Sequence, residues 1–123
     1  MIMEKNKKGF LICPVRGCSP KETENIVSNL EEKGWKIHWP PRDTKQEDSE
    51  TGGFRICADN ANAIKESEMV FFVWDGKSQG CLFDLGVAFA LNKPLTVISA
   101  PENVESGKSF QNMTRYWHEL NLK

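Results

Sequence analysis

The sequence predicts an α/β domain built on a parallel sheet, and three observations predict it. Apolar runs of strand length alternate with stretches of helical periodicity along the chain. The most apolar run, Met69 to Trp74, lacks the polar alternation of a half-exposed strand and suits one covered on both faces. Three of the runs lead through a turn or loop into a helix, the order from which parallel crossovers are made. The expected architecture is a doubly wound, Rossmann-like or flavodoxin-like sheet of about five strands with helices on both faces. It forms a single domain over residues 1–123, with residues 1–8 as a flexible N-terminus.

Gly9 to Pro14 is a short apolar run closed by a proline, which makes it the first strand. Ser19-Pro20-Lys21-Glu22 supplies an N-cap serine, a proline at the first helical position and a glutamate at the third. Ile26, Val27 and Leu30 then repeat at helical spacing, so a helix is expected over Pro20 to Lys33, ending at Gly34. Trp35 to Trp39 alternates apolar and polar residues, the pattern of an outer strand, and Pro40-Pro41 stops it. Arg42 to Gly53 is polar and aperiodic, either a flexible lid over a site or an idle surface loop. A helix is expected over Phe54 to Glu68 with Ile56, Ala63 and Ile64 inward, followed by the central strand Met69 to Trp74. Asp75 to Gly80 is a turn, Cys81 to Leu91 an apolar helix, Leu95 to Ile98 a strand, and Gln111 to Leu120 a last helix.

Composition narrows the class of function. A net charge of −1 leaves no electrostatic footprint for a nucleic acid polymer or an acidic membrane. No apolar run reaches membrane-spanning length and the N-terminus lacks a signal-peptide pattern, so a cytoplasmic protein is expected. Cys13, Cys18, Cys57 and Cys81 form neither a CxxC pair nor a zinc-ligand spacing and are expected as reduced thiols. His38 and His118 stand in no nucleophile or metal motif and are expected to be structural or surface groups.

Asp84 needs a chemical explanation, being the only charge in the apolar segment Cys81 to Leu91. Gly80 and Ala88 lie one turn either side, so small side chains leave room for a ligand beside the carboxylate. The alternative is a structural ion pair with Arg16 or Lys77. Asp75 to Gly80 places glycines, a hydroxyl and backbone donors before a helix, an arrangement able to hold a phosphate or sugar hydroxyls. It has neither Walker A spacing nor a GxGxxG pattern. Arg16-Gly17-Cys18-Ser19 either supplies a guanidinium to the same crevice or is an ordinary turn. Of the four tryptophans only Trp74, at the mouth of the central strand, has a position that favours a ligand; Trp35, Trp39 and Trp117 are read as packing groups.

The segment Ser78-Gln79-Gly80-Cys81-Leu82-Phe83-Asp84-Leu85-Gly86-Val87-Ala88-Phe89-Ala90, followed by Asn92-Lys93-Pro94, resembles the nucleoside 2-deoxyribosyltransferase family. It is similar in particular to that family's deoxynucleoside 5′-monophosphate N-glycosidase branch. The likeness extends through Asn60 to Ile64, Val70 to Val73 and Cys13 to Gly17. It implies that Asp84 stands where the family carries its catalytic glutamate, and that Ser78, Arg16 and Gly17 hold a 5′-phosphate. Ser109-Phe110-Gln111 corresponds to a segment contributed by a neighbouring subunit, which implies a homodimer or higher homo-oligomer. Two positions depart from the pattern. Aspartate is ~1.5 Å shorter in reach than glutamate, and Asn60 aligns with an aspartate that assists base protonation.

The expected function is cleavage of an N-glycosidic bond, by hydrolysis or sugar transfer, in a nucleoside or nucleoside 5′-monophosphate, with no cofactor and no metal. Asp84 would be the nucleophile or oxocarbenium stabiliser and Asp59 or Asp75 the assistant at the leaving base. Asn60, Cys13, Trp74, Gly80 and Ser109 complete the expected ligand site. Two alternatives from other classes are a non-catalytic sensor of a nucleotide or NAD-derived metabolite, and a small interaction domain whose Asp84 is structural.

Overall fold

The structure, a computed structural model, describes residues 7–15, 19–102 and 106–122. Four strands form one parallel sheet in the order β2-β1-β3-β4: β1 is Lys7–Ile12, β2 Trp35–His38, β3 Met69–Val73 and β4 Leu95–Ser99. They are the four runs singled out in the sequence, against an expected total of about five. The helices are α1 (Pro20–Glu32), α2 (Pro40–Asp43), α3 (Phe54–Glu66), α4 (Gln79–Ala90) and α5 (Phe110–Leu120). Among the described residues no helix is long and apolar enough to cross a membrane.

Alternation along the strands builds two cores. Phe10, Ile12, Val70 and Phe72 face Ile64 of α3, Leu85 and Ala88 of α4 and Trp117 of α5. Leu11, Ile37 and Phe71 point the other way, onto Val27 and Leu30 of α1. Helices thus cover both faces and the sheet is doubly wound, as expected. Gly9 is required where the sheet is tightest, because a Cβ there would come 2.9 Å from the Phe71 ring.

Several element ends differ from the sequence expectation for identifiable reasons. Lys7 and Lys8 belong to β1 rather than to a flexible tail: the Lys8 amide donates to the Glu68 carboxylate at 3.2 Å, and Lys7 pairs with Trp35. Residues 1–6 lie outside the described residues. Pro40-Pro41 ends β2 but also opens α2, since proline is pre-set for a first helical turn. Ser19 holds the N-cap position of α1 without a capping side-chain bond.

The segment expected as a loop over Arg42 to Gly53 is tied down by hydrogen bonds. Arg55 donates to the carbonyls of Lys45 and Glu47. Asp48 accepts from the amides of Thr51, Gly53 and Arg55 at 3.0 to 3.1 Å, which fastens the entry to α3. Ser78 and Ser109 cap α4 and α5, accepting from the amides of Cys81 at 3.4 Å and Asn112 at 2.9 Å. These caps start both helices slightly earlier than the apolar periodicity alone suggests.

Candidate active site

The strand order reverses direction at β1: the chain moves from β1 to β2 on one side and returns to place β3 on the other. Open parallel sheets hold their ligand crevices at that switch point, beyond the carboxyl ends of the two central strands. A crevice of about 690 Å³ lies there. Cys13 and Val15 line it from the end of β1; Asp75, Lys77 and Ser78 come from the end of β3. Gly80, Cys81, Phe83 and Asp84 come from α4, Ile56, Cys57 and Asn60 from α3, and Pro40 and Gln46 from α2 and the segment after it.

The turn between β3 and α4 is pre-formed. The Asp75 carboxylate accepts from the amides of Lys77 at 2.9 Å and Ser78 at 2.8 Å. Those backbone bonds hold its carboxyl below the usual range, so Asp75 is ionised at neutral pH. Gly76 takes the left-handed conformation with φ 82°, and a Cβ there would come 3.0 Å from the Pro101 ring. A Cβ on Gly80 would have no neighbour closer than the Ser78 hydroxyl at 3.9 Å, so the missing side chain leaves open volume facing the crevice.

Asp84 sits one turn further along α4 and is only 9% exposed. Among the described residues it has neither a hydrogen bond nor an ion pair; Lys77 shares the crevice without pairing with it. Burial pushes its carboxyl up to about 7. A buried acid with no compensating partner is destabilising, and such groups concentrate where a ligand supplies the missing interaction.

Of the residues singled out in the sequence, Asp84, Asp75, Cys13, Asn60, Ser78 and Gly80 meet at this crevice. Three others do not line it. Asp59 turns away and pairs with Arg55 at 2.6 Å, because consecutive helical residues point about 100° apart. Trp74 follows the alternation of Phe72 into the core, where its indole N–H donates to the Ser78 carbonyl at 3.2 Å; it braces the turn instead of facing a ligand. Ser109 caps α5. Arg16 and Gly17 lie outside the described residues. Sequence reasoning did not single out Val15, Pro40, Gln46, Ile56, Cys57 or Phe83 as lining residues. Cys57 and Ile56 share a face with Asn60 at helical spacing, which is a readable signal. Pro40 and Gln46 arrive only through tertiary folding.

The sequence model of the nucleoside 2-deoxyribosyltransferase family matches residues 11–113. Among solved structures, the chain is similar to a 2-deoxyribosyltransferase from the psychrotolerant bacterium Bacillus psychrosaccharolyticus. The identity is 20% over 80% of this chain and 77% of that one, with a TM-score of 0.65. It is also similar to the CMP N-glycosidase BcmB of Clostridium botulinum, at 20% identity over 95% of this chain and 100% of that one, with a TM-score of 0.58. At such identities these two likenesses concern the fold. No curated protein matches the chain.

Proposed function

Because the chain belongs to the nucleoside 2-deoxyribosyltransferase family, we propose that it cleaves the N-glycosidic bond of a nucleoside or nucleoside 5′-monophosphate, with Asp84 as the reacting carboxylate. The observation that carries this reading is the burial of Asp84 in the lining of the crevice with no partner among the described residues. Ionising it in the folded protein costs roughly 4 kcal/mol more than in water, by the shift from 3.8 to about 7. An anomeric carbon developing positive charge supplies the missing counter-charge, so the interaction is stronger in the transition state than in the free protein.

In the proposed step an ionised Asp84 oxygen attacks the anomeric carbon as the carbon–nitrogen bond breaks, its electron pair leaving with the base. Water then displaces the carboxylate in hydrolysis, or a second base does so in transfer. Asp75, already ionised, holds sugar hydroxyls instead of donating a proton, and the leaving base draws its proton from water in the open crevice. Ser78 and the first amides of α4 receive the 5′-group, with Arg16 and Gly17 as the further candidates.

The same reading includes a homodimer in which Ser109 and its neighbours reach the partner's crevice. Its support is the exposed aromatic surface at Phe83 on the crevice rim and at Phe110 beside Ser109, 50% and 46% exposed. A sedimentation experiment showing only monomer at micromolar concentration would remove it.

A second reading, a binder that does no chemistry, is favoured by one observation: Asn60 presents an amide where an acid would assist base departure. Chromatographic detection of free base from a panel of nucleosides and 5′-monophosphates separates the two. Release by the wild-type chain that vanishes in Asp84→Asn supports the enzyme. Binding of a 5′-monophosphate with no release supports the binder.

A further inference from the structure

Behind Asn60 runs a short chain of polar groups, buried at Asn60 and Thr44 and half-buried at His38, that the proposed reaction does not use. The Asn60 side chain is 7% exposed and lines the crevice; its Oδ1 accepts from the Thr44 hydroxyl at 2.7 Å. Thr44 is 5% exposed and does not line the crevice. Its hydroxyl oxygen lies 2.7 Å from His38 Nε2. The imidazole is clamped against Phe10 with ring centroids 5.3 Å apart and planes 8° from parallel. The Thr44 backbone is fixed as well, its amide donating to the Pro40 carbonyl at 3.0 Å at the end of α2.

A hydroxyl has one proton to give, so the direction of this chain is all or nothing. With the proton on Nε2, His38 donates to Thr44 and Thr44 donates to the Asn60 amide oxygen, which leaves the Asn60 NH2 group for the crevice. With the proton on Nδ1, Thr44 donates to His38 and must receive from the amide, which turns the Asn60 oxygen inward. The observed bond from Thr44 to Oδ1 belongs to the first arrangement. Charging the ring preserves it, because both nitrogens then donate. The charged groups acting on the ring are Asp43, Arg42 and Asp59, and burial holds its pKa below the ordinary value.

We propose that His38 and Thr44 are positioning residues for the ligand site, holding the Asn60 NH2 group inward so that the crevice selects a ligand presenting a hydrogen-bond acceptor there, such as a carbonyl oxygen of a nucleobase. This deepens the reading of the crevice as a nucleoside or nucleotide site and rests on it. His38, which no motif in the sequence marks, thereby sets the polarity of a wall it does not touch.

The first test needs no turnover. The ring 15N resonances of His38 in the full chain distinguish the two tautomers, and the Nε2–H form is expected; the Nδ1–H form would overturn the assignment. Titration with cytidine 5′-monophosphate should move the Asn60 side-chain NH2 signal, and an unmoved signal would count against it. Thr44→Val, which keeps the shape and removes the hydroxyl, should weaken binding of that nucleotide about tenfold while Thr44→Ser restores it. Asn60→Asp keeps an acceptor for Thr44 but turns an oxygen inward, so it should also bind at least about tenfold more weakly. Wild-type affinity or faster base release in Asn60→Asp would overturn the proposal. If these results hold while the wild-type chain releases no base, the proposed reaction falls and the positioning role stands.

Discussion

Two aspartates on neighbouring helices show what the fold satisfies and what it leaves open. Asp59 on α3 is exposed and neutralised by Arg55 across one helical turn, and the ion pair faces away from the crevice. Asp84 on α4 is buried, unpartnered among the described residues and aimed into the crevice. The first is solved locally and contributes little, since exposed pairs of this kind are worth at most about 1 kcal/mol. The second is solved nowhere in the described chain, and a ligand is what completes it. The contrast teaches that the candidate reactive group is marked by missing interactions, and its supports by complete ones.

The sharpest way to break the contrast is Asp84→Asn. It should lower base release by at least about a thousandfold, measured by chromatography under single-turnover conditions, because the attacking or stabilising charge is gone. The same substitution should stabilise the fold. A carboxyl whose folded pKa stands above its unfolded one binds its proton more tightly when folded, so its contribution is full below about pH 4 and is lost as pH rises to about 7. Urea unfolding at pH 8 should therefore show Asp84→Asn more stable than wild type by up to about 4 kcal/mol. The wild-type chain alone should show this decline between pH 4 and 7.

A pH profile sharpens the comparison further. If the ionised form of Asp84 reacts, kcat/KM should rise about tenfold per pH unit below about 7 and level off above it. A profile flat from pH 5 to 8 would place the reacting carboxylate elsewhere. A smaller effect is expected at Gly80, where Gly80→Ala fills crevice volume and meets only the Ser78 hydroxyl, at an unstrained 3.9 Å. It should raise KM several-fold and leave the melting temperature within a few degrees. The smallest effect belongs to the other aspartate: Asp59→Asn should change stability by less than about 1 kcal/mol and leave base release intact.

The alternation of strands and helices was legible because a parallel sheet covered on both faces writes itself as short, wholly apolar runs. Asp84 and the Asp75 turn were legible because a lone charge in an apolar helix and an Asp-Gly turn have few structural uses. Asp59 was named beside Asp75 as the assistant at the leaving base, and the helix phase alone argues against it. Counting back four residues from buried Ile64 reaches Asn60, which puts Asn60 on the inward face and Asp59 off it. Trp74 was readable in the same way, since alternation puts it with Phe72 on the core side. The His38–Thr44–Asn60 chain was not legible, because it joins a strand, the end of a proline-opened turn and a helix through contacts that no local pattern encodes. The pinning of the segment after α2 by Arg55 was hidden for the same reason.

The crevice has one wall fixed to the sheet and one that hangs from a connection. Cys13, Asp75 and α4 are anchored to β1 and β3, whose register cannot slide without dismantling both cores. Pro40 and Gln46 come from the β2–α3 connection, where a few residues gained or lost cost little chain entropy. The molecule therefore resembles a vice with one welded jaw and one adjustable jaw. Redesigning which ligand it grips is work for residues 40–53, with the chemistry on the welded side left as it is.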